Sequence, residues 1–206
     1  KQLRLPNTGG VEHVIPLRNM RRPEFIAPMS MKMLNRLLGM VQTLDGRKVF
    51  ERAKFQLCGI DPNHLKVGQK FVYRQNYQDI LEKMPGIFGG FAIGNGFNGL
   101  GAYFVFGEDE NCLRSIACYM PPLVERHDSS LAVMDGIHRS FITKQLGATI
   151  TAILISGISL PFPCSLRPWS DVSVIDLGDK PTDVNDRYFD LEKSLFRDLK
   201  YLGIDG

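Results

Sequence analysis

LAVMDGIHRSFITKQLGATITAILISG, residues 131–157, contains two apolar runs separated by a polar turn and an amphipathic run. The pattern predicts a strand that ends at Asp135 and a helix that begins after Gly136. Gly147 is typical of the position that follows a helix C-terminus. The β-branched, apolar run over Ala148–Ile155 is typical of a buried strand. The segment therefore predicts a strand, a helix and a return strand in direct succession.

The residues just upstream extend this unit. Pro121–Arg126 is a proline-started apolar run, and His127–Ser130 is rich in turn-forming residues. Together with Leu131–Met134 they predict a β-hairpin that leads into the polar turn. We therefore expect a compact α+β unit built from a hairpin, a helix and a return strand.

The polar turn has the composition of an anion site. Asp135, Gly136, Ile137, His138 and Arg139 are predicted to lie where a strand ends and a helix begins. Free N–H groups and the positive end of the helix dipole favour an anion there, above all a phosphate. Gly136 lets the backbone approach a ligand, while His138 and Arg139 add donors and charge. The sequence predicts a phosphate site at these last four residues; the alternative is that His138 and Arg139 only cap the helix and form salt bridges.

Asp135 has two interpretations. Its position predicts a helix N-cap. A carboxylate beside bound phosphates would be repelled unless a cation bridged the two, so the functional alternative is Mg²⁺ coordination or general-base chemistry.

Glu125 is the second candidate catalytic carboxylate. It lies in the predicted hairpin, and Asp128 and residues 108–110 are the other carboxylates close by in the sequence. Acidic residues of this kind are usually solvated. A phosphoryl-transfer enzyme still needs one carboxylate to orient water or a hydroxyl group, and Glu125 could take that role beside Asp135.

The segment from Tyr119 to Gly157 resembles a known superfamily. Its proline-led hairpin, the D-G-x-H-R turn at Asp135–Arg139 and the Leu146-Gly147 helix end are similar to the core of ParB-like and sulfiredoxin-like domains. DGIHR is closest to the DGQHR-type branch, which occurs among proteins of DNA-modification and genome-defence systems. The resemblance implies a mixed-sheet core with helices packed around it. In that superfamily the segment aligned with Gly136–Arg139 binds nucleotide phosphates: ATP or ADP in sulfiredoxin and the free serine kinases, CTP in ParB.

Two departures from the superfamily limit what the resemblance implies. Sulfiredoxins carry their catalytic cysteine where this chain has Ile137, which cannot act as a nucleophile. ParB has an arginine pair where this chain has His138 and Arg139, and it continues into a helix-turn-helix domain that the last fifty residues do not suggest. Sulfinic-acid repair and chromosome partitioning are therefore not expected.

The rest of the chain is less informative. We expect residues 1–107 to be an N-terminal elaboration and residues 108–206 to be the core, with one compact domain overall as the alternative. Local patterns predict five further elements: a helix from Met31 to about Thr43 capped by Ser30, a short helix at Tyr77–Met84, a turn at Gly94–Gly96, and strands at Leu100–Phe106 and Val172–Leu177.

The final pattern covers Asp186–Leu202. Apolar residues recur there at helical spacing, and Arg197 falls on the opposite, charged face. This pattern predicts a C-terminal packing helix with a solvated face and no chemical role.

The composition of the chain limits its possible partners and its location only weakly. The net charge of +3 permits contact with nucleic acid without requiring it. The four cysteines show no metal-binding spacing, which favours reduced thiols in a cytoplasmic protein. The sequence has no apolar run as long as a membrane span, so we expect no membrane partner.

Three functions remain open at this stage. The first is a nucleotide-phosphate hydrolase that uses ATP or CTP with Mg²⁺ in DNA modification or genome defence. Asp135 and Glu125 would be its catalytic residues, Asp135 would hold the metal, and DNA would be a further partner. The second is a small-molecule kinase that resembles free serine kinase. The third is a non-enzymatic DNA-binding regulator. We favour the first, because the sequence shows no acceptor pocket and only a modest charge.

Overall fold

A computed structural model describes residues 13–82 and 101–204. Its helices are α1 (Met31–Leu38), α2 (residues 74–82) and α3 (Ile137–Gln145). Its strands, in chain order, are β1 (His13–Val14), β2 (Arg22–Pro28), β3 (Gln42–Thr43), β4 (Lys54–Ile60), β5 (Leu65–Val67), β6 (Phe71–Tyr73), β7 (Tyr103–Glu108), β8 (Arg114–Tyr119), β9 (Leu123–His127), β10 (Ser130–Asp135), β11 (Ile150–Ser156), β12 (Ser173–Ile175) and β13 (Arg197–Asp198). Short 3-10 helices cover Leu17–Asn19, Pro62–His64, Trp169–Asp171, Leu177–Asp179, Val184–Arg187, Lys193–Leu195 and Lys200–Leu202.

The strands form two larger sheets and two short pairs. One sheet has the order β1-β8-β7-β2, and the other has the order β4-β11-β9-β10-β5. The second sheet is mixed: β9 pairs with β10 antiparallel and with β11 parallel, while β10 pairs with β5 parallel. The two-stranded pairs are β12-β6 and β13-β3. The α+β class predicted from the sequence is confirmed.

The five-stranded sheet is buried on both faces. Leu123 and Ile153 point to one side, where they pack with α1 and with β7 and β8. Val124 and Leu154 point to the other side, where they pack with Ile137 of α3. Successive residues of a strand alternate between the faces, so a strand covered on both sides must be apolar throughout. This burial explains the apolar run Ala152–Ile155 in β11, all of which is buried.

Both halves of the chain contribute strands to the five-stranded sheet. β4 and β5 come from the N-terminal half, yet they pair with β11 and β10 of the C-terminal half. The boundary expected at residue 107 falls inside β7. One core cluster contains Leu34 and Leu38 of α1 together with Leu199 and Leu202.

The local predictions around the polar turn are confirmed. The hairpin is β9–β10, the helix is α3 and the return strand is β11. Gly147 follows the helix with a φ of 63°. The strands expected at Leu100–Phe106 and Val172–Leu177 are present as β7 and β12, with shifted ends.

The helical predictions in the N-terminal half hold only in part. Ser30 caps α1, since its side chain accepts a hydrogen bond from Met33 N. The helix ends at Leu38 instead of near Thr43, because Gln42–Thr43 pairs with β13. α2 overlaps the second predicted helix; the end of that helix and the turn at Gly94–Gly96 lie outside the described residues.

The predicted C-terminal helix is wrong. Asp186–Leu202 forms short 3-10 turns and the strand β13. Its backbone bonds elsewhere: Phe189 N donates to Gly68 O, and Glu192 N donates to Pro163 O. These tertiary hydrogen bonds replace the helical ones, and packing outweighs the weak local preference for a helix.

The C-terminal segment belongs to the core, which makes Leu202 a sensitive position. Its side chain is fully buried, whereas Leu146, after α3, is 72% exposed. We expect Leu202→Ala to lower the free energy of unfolding by about 2–5 kcal/mol, because it removes buried methyl groups and leaves a cavity. Leu146→Ala should change it by no more than about 0.5 kcal/mol. Urea denaturation measures both values, and equal effects would contradict the packing described.

Candidate functional site

The turn between β10 and α3 is built on a left-handed glycine. Asp135 ends β10 just after an irregularity in its pairing with β9, and Gly136 follows with a φ of 89°. A Cβ atom at Gly136 would lie 2.8 Å from the Cβ of Pro122. Both the dihedral angle and the close approach require glycine here. Gly136 is the N-cap residue and no side chain caps the helix, so the N-cap interpretation of Asp135 is wrong.

Arg139 is held inside the turn. Its Nη2 donates to Asp135 Oδ2 at 3.0 Å, and its Nη1 donates to the carbonyl oxygen of Met120. The guanidinium also lies 5.5 Å from the centroid of the Tyr119 ring. Only 20% of the side chain is exposed. Arg139 thus contributes positive charge to the turn and also ties α3 to the segment that follows β8.

His138 has a different role from the one expected. Its Nε2 accepts a hydrogen bond from Tyr73 N at 3.1 Å, and the two rings lie 5.9 Å apart. Burial lowers the pKa of His138 to about 4, and the nearby charges of Lys180 and Arg139 act in the same direction. His138 is therefore neutral at pH 7 and does not add the positive charge that the sequence suggested.

These residues line a cavity of about 300 Å³. The rest of its wall comes from distant parts of the chain, which include α2, the loop after β11 and the C-terminal segment. Four cationic side chains line it, as do four aromatic ones: Arg18, Arg139, Lys180 and Arg197, with Tyr73, Phe162, Tyr188 and Phe196. Among the described residues of the wall, Asp135 has the one carboxylate. Cationic groups thus outnumber carboxylates on the wall, with Arg139 paired to Asp135 and Arg197 paired to the buried Glu125.

Glu125 lies behind this wall. It is fully buried, its Oε1 accepts from Arg197 Nε at 2.9 Å, and its Oε2 accepts from Arg197 Nη2 at 2.9 Å. His127 Nε2 lies 2.6 Å from Oε2. The described residues that line the cavity do not include Glu125. Both of its oxygens are engaged, so this position supports a role in orienting Arg197 and gives no support to the predicted catalytic role.

The helical spacing in the sequence predicts that Arg197 lies on a solvated face, whereas the structure buries it. Its side chain is 2% exposed, and its Nη1 donates to Leu195 O at 2.7 Å. The guanidinium carbon lies 5.8 Å from the centroid of the Phe162 ring. The buried pair with Glu125 therefore fixes one wall of the cavity.

Metal and thiol chemistry have few candidate groups. No three His, Cys, Asp or Glu side chains converge as a metal site within residues 13–82 and 101–204. Mg²⁺ commonly takes one or two protein carboxylates and completes its shell with phosphates and water. Asp135 fits such a shared ion. Cys164 lines the cavity, but burial raises the pKa of its thiol to about 12, so it stays protonated at pH 7.

The sequence identified one part of the site. Asp135 and the four residues Gly136–Arg139 lie together where β10 ends and α3 begins, as predicted, and the structure adds that all five line one cavity. Lys180 and Tyr73 could not be identified from the sequence, because neither lies in a motif and only the tertiary fold brings them to the turn. Arg197 gave a misleading signal, since its helical spacing suggested exposure.

Comparison of the chain with models of protein families, with curated proteins and with solved structures finds no match. None of the helices within the described residues has the length and apolar character needed to cross a membrane.

The buried pair can be tested by removing its charges one at a time and together. Glu125→Gln leaves the Arg197 guanidinium buried without its counter-ion, so we expect the free energy of unfolding to fall by about 3–5 kcal/mol. The double variant Glu125→Gln/Arg197→Met removes both charges and should regain most of that loss. Urea denaturation of the natural chain, of Glu125→Gln, of Arg197→Met and of the double variant measures the coupling. A double variant that is as unstable as the sum of both single variants would contradict it.

Proposed function

We propose that the protein is a nucleotide-phosphate hydrolase that binds ATP or CTP through its phosphates at the β10–α3 turn. The observation that carries this proposal is that Arg18, Arg139 and Lys180 line one cavity of about 300 Å³ together with the N-terminus of α3. A helix N-terminus offers N–H groups and a positive dipole end to an anion. Guanidinium and ammonium groups add charge-assisted hydrogen bonds to phosphate oxygens.

The sequence resemblance supports the same ligand. Gly136–Arg139 is the segment that corresponds to the phosphate-binding segment in ParB-like and sulfiredoxin-like domains. The left-handed Gly136 lets the backbone of this segment come close to a ligand. A setting in DNA modification or genome defence, with DNA as a further partner, rests on the resemblance of DGIHR to the DGQHR-type branch.

The other walls fit the remainder of a nucleotide. Tyr73, Phe162, Tyr188 and Phe196 line the same cavity as the cations. Aromatic rings offer flat apolar surface to a nucleobase or a ribose, while the charged end fixes the orientation of the ligand.

Asp135 is the group that supports turnover. Arg139 occupies its Oδ2, and the carboxylate faces the cavity in which the phosphates would lie. A carboxylate in this place can hold Mg²⁺ together with phosphate oxygens, or it can orient the attacking water. When bound, the metal would neutralise charge on the phosphates.

Lys180 provides the sharpest test of binding, because Arg139 also supports the fold. We expect calorimetric titration with ATP, ADP, CTP and GTP, with and without Mg²⁺, to show binding to the natural chain. Lys180→Ala should weaken it about 10-fold to 100-fold, as expected for the loss of a charged hydrogen bond. Lys200→Ala removes the same charge from an exposed position and should leave binding unchanged. Absence of binding, or an equal loss in both variants, would contradict the proposal.

Asp135→Asn separates binding from turnover. The amide oxygen can still accept the hydrogen bond from Arg139, so the fold and the binding of nucleotide should be retained. Phosphate release should fall by about 100-fold or more if the carboxylate orients water or holds Mg²⁺. The rate of phosphate release under saturating nucleotide is the measurement. An unchanged rate in this variant would remove Asp135 from the catalytic step.

A further inference from the structure

The hydrogen bond to His138 defines where its ring proton lies. The partner is the backbone N–H of Tyr73, which can only donate. Nε2 must therefore present its lone pair, and a neutral imidazole with a free Nε2 has its proton on Nδ1. The fold thus selects one tautomer of His138 before any ligand arrives.

The Nδ1–H group is available to a ligand. No residue within 13–82 and 101–204 forms a hydrogen bond with His138 Nδ1, and the one buried side-chain polar atom without a partner in those ranges is Ser140 Oγ. Among the described residues Nδ1 therefore has no partner, and it is not completely buried. His138 lines the same cavity as Gly136 and Arg139, so this donor lies on a ring that borders the candidate ligand space.

We propose that His138 recognises an oxygen of the bound ligand as a neutral Nδ1–H donor, with its tautomer fixed by the backbone of Tyr73. This inference rests on the proposed function, in which that oxygen belongs to a phosphate. His138 would then donate a hydrogen bond to an acceptor oxygen of the ligand, while Arg139 and Lys180 attract its negative charge.

The surroundings of His138 keep it neutral. The charged and titratable groups around it are Arg139 of its own helix, Asp135 at the end of β10, Lys180, the Tyr73 hydroxyl and the exposed His64 of the 3-10 helix packed against α3. Burial lowers the pKa of His138 to about 4. Its contribution to stability is therefore present above its usual pKa of 6.5 and is lost as the pH falls from 6.5 toward 4.

Two conservative variants separate the two ring nitrogens. The amide of Gln reaches the position of Nε2, so His138→Gln can still accept from Tyr73 N but has no donor at Nδ1. The amide of Asn reaches the position of Nδ1, so His138→Asn keeps the donor and loses the acceptor. We expect His138→Gln to keep its urea midpoint and bind ATP about threefold to tenfold more weakly. His138→Asn should show the reverse, a lower urea midpoint with tighter binding than the Gln variant.

The pH profile distinguishes a neutral donor from an imidazolium. The ratio of ATP affinities of the natural chain and His138→Gln should stay constant from pH 6 to 8, and taking the ratio cancels the titration of ATP itself. A ratio that falls as the pH rises would show that a charged imidazolium binds the ligand, and it would overturn the inference.

Nitrogen NMR of the ligand-free protein tests the tautomer directly. The chain has four histidines, so the signals lost in His138→Gln identify those of His138. We expect the Nδ1–H tautomer at pH 7; the Nε2–H tautomer or an imidazolium would contradict the inference. If the natural chain binds no nucleotide, both proposals fail. If it binds and His138→Gln binds equally well, only the role of His138 fails.

Discussion

The buried ion pair between Glu125 and Arg197 is the constraint on which the rest of the site depends. Two charges removed from water are tolerated only as partners, and here both carboxylate oxygens and three guanidinium nitrogens are engaged. The pair joins the central strand β9 to the C-terminal segment. That segment provides Tyr188, Phe196 and Arg197 to the cavity wall. The buried Glu125–Arg197 pair therefore holds in place the segment that forms one wall of the cavity.

The site combines a local motif with distant supports. The β10–α3 turn contributes backbone donors, a carboxylate and Arg139, all from one short segment. Tyr73 comes from another part of the chain and selects the tautomer of His138, while Lys180 adds to the lowering of the His138 pKa that burial causes. A phosphate ligand would thus meet two kinds of donor, charged ones that attract it and a neutral one that orients it.

The sequence predicted the parts of the structure in which local pattern and tertiary environment agree. The hairpin, α3 and β11 follow from apolar runs, turn formers and Gly147, since each element is specified by its own residues. The C-terminal segment could not be predicted in this way. Its leucines recur at helical spacing, but of these only Leu199 and Leu202 are buried, and its backbone bonds to Gly68 and Pro163. For the same reason spacing alone placed Arg197 in solvent and gave no indication of Lys180.

The cavity wall extends from Arg18 to Ile204, almost the full range of the described chain. Contacts between residues so far apart in sequence form late, because the chain must first lose the entropy of closing very long loops. The turn that carries the motif can form early from neighbouring residues, but it acquires its enclosing walls only when the C-terminal segment has docked. A ligand that bound in this cavity would therefore need the finished fold, and it would stabilise the fully assembled chain over every partly folded form of it.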